Sequence, residues 1–153
     1  MHIVWFKRDL RIQDHAPLSA AARRGAVLPL YIIEPSIIDA PDFDPAHYTF
    51  IRAGLVELRR NLAERGMPLV IRYGEVIDVL NEIRHGYKID GLWAHEETGN
   101  WRSFERDIAV RAWAKEQAIP FTEIPQTAAV RGLKDRDEWT AHWNRRMHAP
   151  LLP

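Results

Sequence analysis

Val4-Trp5-Phe6-Lys7-Arg8-Asp9-Leu10-Arg11-Ile12-Gln13-Asp14 carries the chain from a short apolar run into a dense cluster of charges and then into a helix start. Residues 2–6 have the length and apolar character of a buried strand. Lys7, Arg8, Asp9 and Arg11 follow at once. Asp14 is a residue type that caps helices, and Leu18, Ala21 and Ala22 supply the apolar side of the helix it would open. In an open parallel sheet, ligands bind just past the carboxyl ends of the strands. A Lys/Arg-rich loop at that place suits an anionic or extended aromatic ligand.

Outward from this stretch, strand and helix patterns alternate. Residues 27–33 are almost continuously apolar, as a strand covered on both faces should be. Over 46–65 the period becomes helical: Ile51, Leu55, Leu58 and Leu62 share one face, and Arg52, Glu57, Arg59 and Glu64 take the other. Gly66 and Pro68 supply the stop. Residues 69–73 read as a third strand. Val76, Val79, Leu80 and Ile83 form a helical stripe closed by Gly86, and 90–95 read as a fourth strand. A helix over 101–116 places Phe104, Ile108 and Ala112 on one side, and 120–124 read as a fifth strand. Five strands joined by helices predict a doubly wound five-stranded parallel α/β sheet, Rossmann-like, over residues 1–125.

Beyond Pro125 the pattern decays. Residues 128–138 have a loop-like composition. Trp139, Trp143 and Met147 then fall at helical spacing, with Arg145 and Arg146 near the helix end. Pro150-Leu151-Leu152-Pro153 leaves two leucines with no evident packing partner, as at a linker, so 126–153 read as an extension of the α/β domain.

Composition bounds the function. The 153 residues, 46% hydrophobic, suffice for one domain with a core. The 21 basic and 21 acidic side chains cancel, which argues against whole-surface attraction to nucleic acid or anionic membrane. The absence of cysteine excludes disulfides, thiol catalysis and thiolate metal sites. No apolar run approaches the ~20 residues of a membrane span, and the amino terminus lacks a signal-peptide pattern; a cytoplasmic protein without membrane contact is expected.

No G-x-G-x-x-G and no G-x-x-x-x-G-K-[ST] occurs, so neither the dinucleotide cradle nor a P-loop is available. A ligand must be held by side chains of the strand-end loops: 7–11, 34–43 and 95–101. His95-Glu96 begins like a zinc-protease motif, but Gly99 stands where the second histidine is required, so no metal site is expected. Trp5 and Trp93 lie within strands and read as core, and Trp101 reads chiefly as a packing residue. Arg131, Lys134, Arg136, Arg145 and Arg146 are interleaved with Asp135, Asp137 and Glu138, which reads as solvated surface rather than a nucleic-acid face.

Trp5-Phe6-Lys7-Arg8-Asp9-Leu10-Arg11, with Asp14 three positions on, resembles the amino-terminal signature of the DNA photolyase and cryptochrome family. Later segments agree in order: 28–35 with its second strand and turn, 50–62 with its long helix, 69–73 with its third strand, and Glu105-Arg106-Asp107 with a triplet on a later helix. Residues 95–101 depart from the family's more aromatic segment. The resemblance implies a flavodoxin-like strand order, with the first and fourth strands flanking the ligand crevice. It also implies that the domain holds a light-harvesting antenna chromophore: a reduced folate, a deazaflavin, FMN or a lumazine. FAD, and the light-driven repair of pyrimidine dimers in damaged DNA, would belong to a helical domain of the parent chain, so no catalytic residue is expected here and the domain alone is not expected to be an active enzyme.

On the same resemblance, the chromophore would be bound by Arg8, Asp9, Arg11, Glu34, Ser36, Glu97 and Asn100. Arg8 and Arg11 would meet its phosphate or carboxylate, and Glu97 and Asn100 a ring edge. Structural readings compete: an Arg8–Asp9 ion pair that orders the turn, and Glu96 and Glu97 as favourable charge at a helix start. Two other functions stay open, a cryptochrome photoreceptor without repair activity and a stand-alone nucleotide-binding protein.

Overall fold

The apolar run that opens the chain forms β1 (His2–Phe6), and its last four residues are buried. The structure is a computed structural model and describes residues 1–126 and 129–152. The elements that follow are α1 (Ala16–Ala22), β2 (Val27–Ile33), α2 (Pro35–Ile38), α3 (Pro45–Ala63), β3 (Val70–Tyr73), α4 (Val76–Gly86), β4 (Gly91–His95), α5 (Trp101–Glu116) and β5 (Phe121–Ile124). A 3-10 turn at Arg136–Glu138 leads into α6 (Trp139–Met147). The expected strands and helices are present. The four-residue α2, started by Pro35, is an addition that hydrophobic periodicity does not detect.

All five strands are parallel, in the order β3-β2-β1-β4-β5. The doubly wound sheet is as expected, but the flavodoxin-like order is not. That order would put β3 inside the sheet and β2 at its edge. A strand inside a parallel sheet is apolar on both faces, which β2 satisfies and β3 does not, since Arg72 and Tyr73 are exposed.

The order also distributes the helices. Right-handed crossovers outward from β1 to β2 and β3 place α1 and α3 on one face, and the return to β4 and β5 places α4 and α5 on the other. Side chains of the central strands alternate to match. Val4, Phe6, Tyr31 and Trp93 pack with Leu18, Leu55, Leu58 and Leu62. Ile3, Trp5, Leu30, Ile32 and Leu92 pack with Val79, Leu80, Ile83, Val110 and Trp113. Trp5 and Trp93 are core, as expected.

Local readings need correction at three places. The cap of α1 is His15, not Asp14: His15 Nδ1 accepts from the Leu18 N–H at 3.1 Å. Asp14 lies in the left-handed region with φ +48, and its carboxylate accepts from the Leu152 N–H at 3.2 Å. The tail is therefore tied to the loop before α1 through backbone, although Leu151 stays 83% exposed.

Helix α5 buries Asp107, Val110, Trp113 and Ala114 rather than the Phe104–Ile108–Ala112 stripe. Its inward line starts with Arg106 and Asp107, which a reading of apolar spacing assigns to solvent. Trp101 is 68% exposed and meets the Phe104 ring at 5.6 Å, so it is not a buried packing residue. Helix α6 forms as predicted, with the Trp139 and Trp143 rings 6.4 Å apart. Ala128, in the expected loop 128–138, and Pro153 lie outside the described residues.

The face of α5 can be tested by truncation. Trp113→Ala should cost about 3–5 kcal/mol of stability, and Ile108→Ala no more than about 0.5 kcal/mol, measured by urea unfolding.

Candidate functional site

The carboxyl ends of β1 and β2, together with α2, the first half of α3 and the first turn of α5, enclose a cleft of about 890 Å³. Its volume falls within the ~300–1,000 Å³ usual for small-molecule sites. Ile33, Ile37, Ile38, Phe43, Tyr48 and Ile51 supply apolar wall. The cleft lies beside the point where the strand order reverses at β1, where open parallel sheets take their ligands.

Buried ions line its inner end. Lys7 Nζ lies 2.5 Å from Asp107 Oδ2, with both side chains almost fully buried. Arg106 contacts Asp107 Oδ1 at 3.0 Å, Glu34 Oε1 at 2.9 Å and Glu97 Oε2 at 3.2 Å. The indole of Trp5 lies under both cations, with Lys7 Nζ 4.9 Å and the Arg106 guanidinium 4.7 Å from its centroid. Burial lowers the Lys7 pKa despite Asp107. At Arg106 burial also disfavours the charge, but Glu34, Asp107 and Glu97 outweigh it and the pKa rises. Burial pushes the Glu34 carboxyl up to about 7 against the pull of Arg106. Glu34 Oε2 is buried with no hydrogen-bond partner among the described residues.

A second knot holds the loop after β1. Asp9 Oδ1 accepts from the Lys7 N–H at 2.8 Å, and Oδ2 accepts from His15 Nε2 at 2.8 Å and His95 Nδ1 at 2.6 Å. Burial works against the Asp9 charge, but the hydrogen bonds from His15 and His95 hold its carboxyl well below the usual range. Burial also lowers the His15 pKa in spite of Asp9. Donor atoms of Asp9, His15 and His95 lie within 4.8 Å of one another, a spacing open to a metal. The hydrogen bonds argue otherwise. His15 Nδ1 accepts from Leu18 N–H, so Nε2 carries the proton and has no lone pair to offer. The triad is a hydrogen-bonded clamp between β1, α1 and β4.

Of the residues expected to hold a ligand, Arg8, Asp9, Arg11, Glu34, Glu97 and Asn100 line the cleft, and Ser36 does not. Ser36 turns to Glu75, whose carboxylate accepts from its N–H at 2.9 Å and its hydroxyl at 2.7 Å. Arg8 pairs with Glu97 and not with Asp9, because Asp9 is already committed to the two histidines. Gly99 permits this pair, since a Cβ there would stand 2.8 Å from both Arg8 Cζ and Glu97 Oε1. Arg11 donates to the carbonyls of Gln13 and Asp14, each at 3.1 Å. Asn100 caps α5, its Oδ1 accepting from Ser103 N–H at 3.0 Å, while its Nδ2 donates to Asp42 at 2.8 Å. Glu97 is drawn inward, its side chain 4% exposed, so it is more than a surface charge at a helix start.

Lys7, expected only as part of the loop 7–11, and Tyr31, Arg106 and Asp107, expected nowhere in the site, join it in the structure. The triplet Glu105-Arg106-Asp107 is the available signal, but nothing in its spacing shows that two of its members face inward. Arg131, expected on solvated surface, is partly buried instead: Nε donates to the Glu97 carbonyl at 2.8 Å and Nη1 to Glu123 at 2.7 Å.

Comparison with known proteins follows this geometry. The sequence model of the family described as DNA photolyase matches residues 2–132. Over 79 residues the chain is 47% identical to a deoxyribodipyrimidine photo-lyase of Salmonella typhimurium, covering 50% of this chain and 16% of that protein. Over 108 residues it is 35% identical to a chloroplastic/mitochondrial cryptochrome DASH of Solanum lycopersicum, covering 63% of this chain and 18% of that one. The chain thus spans less than a fifth of either relative. Its fold matches an archaeal photolyase from Sulfolobus tokodaii with a TM-score of 0.77 at 24% identity, over 99% of this chain and 36% of that one. That structure is described as holding two FAD molecules, with the implication of a novel light-harvesting cofactor.

Two predictions test the buried charges. Asp107→Ala strands Lys7 and one arm of Arg106 and should cost about 3–5 kcal/mol; combining Lys7→Met with Asp107→Leu should recover much of that loss in urea unfolding. The Asp9–His15 clamp predicts acid sensitivity. Both groups titrate lower in the fold than their ordinary values of 3.8 and 6.5. As pH falls the unfolded chain therefore takes up the His15 proton first, and stability declines, with Asp9 adding its share at lower pH. His15→Asn keeps a capping acceptor and should flatten the decline between about pH 7 and pH 5, read from urea midpoints across pH.

Proposed function

The chain belongs to the DNA photolyase family, and from that premise we propose that it is the family's amino-terminal light-harvesting domain, with the cleft beside β1 and β2 as the seat of an antenna chromophore. The observation that carries this reading is the cleft itself: apolar walls around an inner end furnished with a few fixed polar groups, the composition that binds a planar heterocycle. A reduced folate, a deazaflavin, FMN or a lumazine all present such a ring. When bound, the chromophore would absorb near-ultraviolet or blue light and pass the excitation onward. The residues of this chain would bind and orient it: Arg8, Glu34, Glu97 and Asn100 from the cleft wall, and Asp9 and Arg11, which also line the cleft, chiefly by holding the loop after β1.

Residues 126–153 would lead, in the parent protein, to a helical domain that holds FAD and binds damaged DNA. Light-driven repair of pyrimidine dimers would occur there. The alternative is a cryptochrome photoreceptor without repair activity, and a repair assay on the full-length parent separates the two. Among the described residues no helix is long and apolar enough to cross a membrane.

Titration of the purified protein with FMN, a deazaflavin and a reduced folate tests the reading by absorption and fluorescence. At least one should bind, with shifted absorption and quenched emission. Ala53→Trp, an exposed helix position that lines the cleft, should abolish that binding while leaving the circular dichroism unchanged. Failure of all three compounds to bind would overturn the proposal.

A further inference from the structure

Most polar groups deep in the cleft are already engaged by the protein. Lys7, Asp9, Glu97 and Arg106 each make the hydrogen bonds or ion pairs described above. Two groups stand apart. Glu34, 4% exposed, gives only Oε1 to Arg106 and leaves Oε2 buried without a partner among the described residues. Tyr31, 8% exposed on β2 three residues before Glu34, lines the cleft, and its hydroxyl makes no hydrogen bond with any described residue. Both side chains line the same cleft, and burial, together with the charge on Glu34, raises the Tyr31 phenol to about 12. A buried carboxylate oxygen without a donor is costly, and native structures rarely carry one without a purpose.

The rim differs from this inner end. Arg102 lines the cleft and makes no ion pair with any described residue, and the Arg8 side chain is 64% exposed beyond its contact with Glu97. At the inner end the charges of Lys7 and Arg106 are already met by Asp107, Glu34 and Glu97. Arg102 and the exposed part of Arg8 at the mouth are open to an anion, which fixes a direction for an anionic tail.

We propose that Tyr31 and Glu34 are the recognition pair for a cyclic imide or lactam edge, Glu34 accepting the ring N–H and the Tyr31 hydroxyl donating to the adjacent ring carbonyl. The inference rests on the reading of the cleft as a chromophore site and deepens it by naming the edge that enters first. The ring slides in between the apolar walls with its N–H–C=O edge leading, and its phosphate or carboxylate tail stays at Arg8 and Arg102. The terminal torsion of a glutamate is soft, so a small turn about that bond brings Oε2 onto an incoming N–H while Oε1 keeps Arg106. Adenine, whose edge has no ring N–H beside a ring carbonyl, and nicotinamide, whose amide lies outside the ring, are disfavoured.

The test pairs each probe with its blocked form: FMN, a deazaflavin and a reduced folate, each beside its N3-methyl derivative, titrated into the unaltered protein by fluorescence. Methylation should weaken binding about tenfold or more, the loss typical of a hydrogen bond to a charged acceptor. Tyr31→Phe should weaken the unmethylated probe and narrow the difference between FMN and riboflavin not at all, whereas Arg102→Ala should narrow that difference. Equal binding of the methylated and unmethylated forms would overturn the pairing and leave the chromophore reading standing. No binding by any probe would overturn both.

Discussion

The Asp9 carboxylate is the contact on which the site depends. It receives hydrogen bonds from the Lys7 amide, His15 and His95, which come from the loop after β1, the start of α1 and the end of β4. These are the segments that meet where the sheet reverses direction. By pinning them together, Asp9 sends the two basic residues before it to different places: Lys7 inward to Asp107 and Arg8 outward to Glu97. These donors offset the cost of holding the Asp9 carboxylate out of water. The histidines therefore serve the loop rather than any chemistry of their own, and His15 spends its other nitrogen on the α1 cap.

Around Trp5 the same economy of space produces a polar floor. The two cations that flank its indole gain from the ring, but their main partners are the carboxylates of Asp107, Glu34 and Glu97. Apolar side chains of similar volume would give equal or greater stability than such buried ions. What the ions supply is a rigid array of oriented donors and acceptors beneath an apolar cleft, and Glu34 Oε2 is the place where that array is left open. The raised carboxyl of Glu34 and the lowered amine of Lys7 both express the same shortage of solvent.

Much of this architecture is legible residue by residue. The apolar runs of β1 and β2 and the Leu55–Leu58–Leu62 stripe of α3 are buried as their periods require. Periodicity loses its grip where charge turns inward. Arg106 and Asp107 look like solvent-facing residues of α5, and their inward turn displaces the apolar stripe that spacing suggests. Ser36 and Asn100 carry side chains suited to a ligand, yet their positions at helix starts engage them with Glu75, Asp42 and Ser103. Asp14 has the right chemistry for a cap, but its left-handed backbone leaves His15 to do it.

Alternating strand and helix periods, the absence of cysteine and of a phosphate-binding glycine loop, and the Trp5 to Arg11 signature were determined by the sequence alone, because each is a matter of local spacing and residue type. The strand order, the inward course of Lys7, Arg106 and Asp107, and the buried Glu34 oxygen left without a partner among the described residues were decided only in the tertiary structure. These depend on which groups from distant segments reach the same buried volume. There the balance between desolvation and pairing, which no local pattern encodes, selects the partner of every charge.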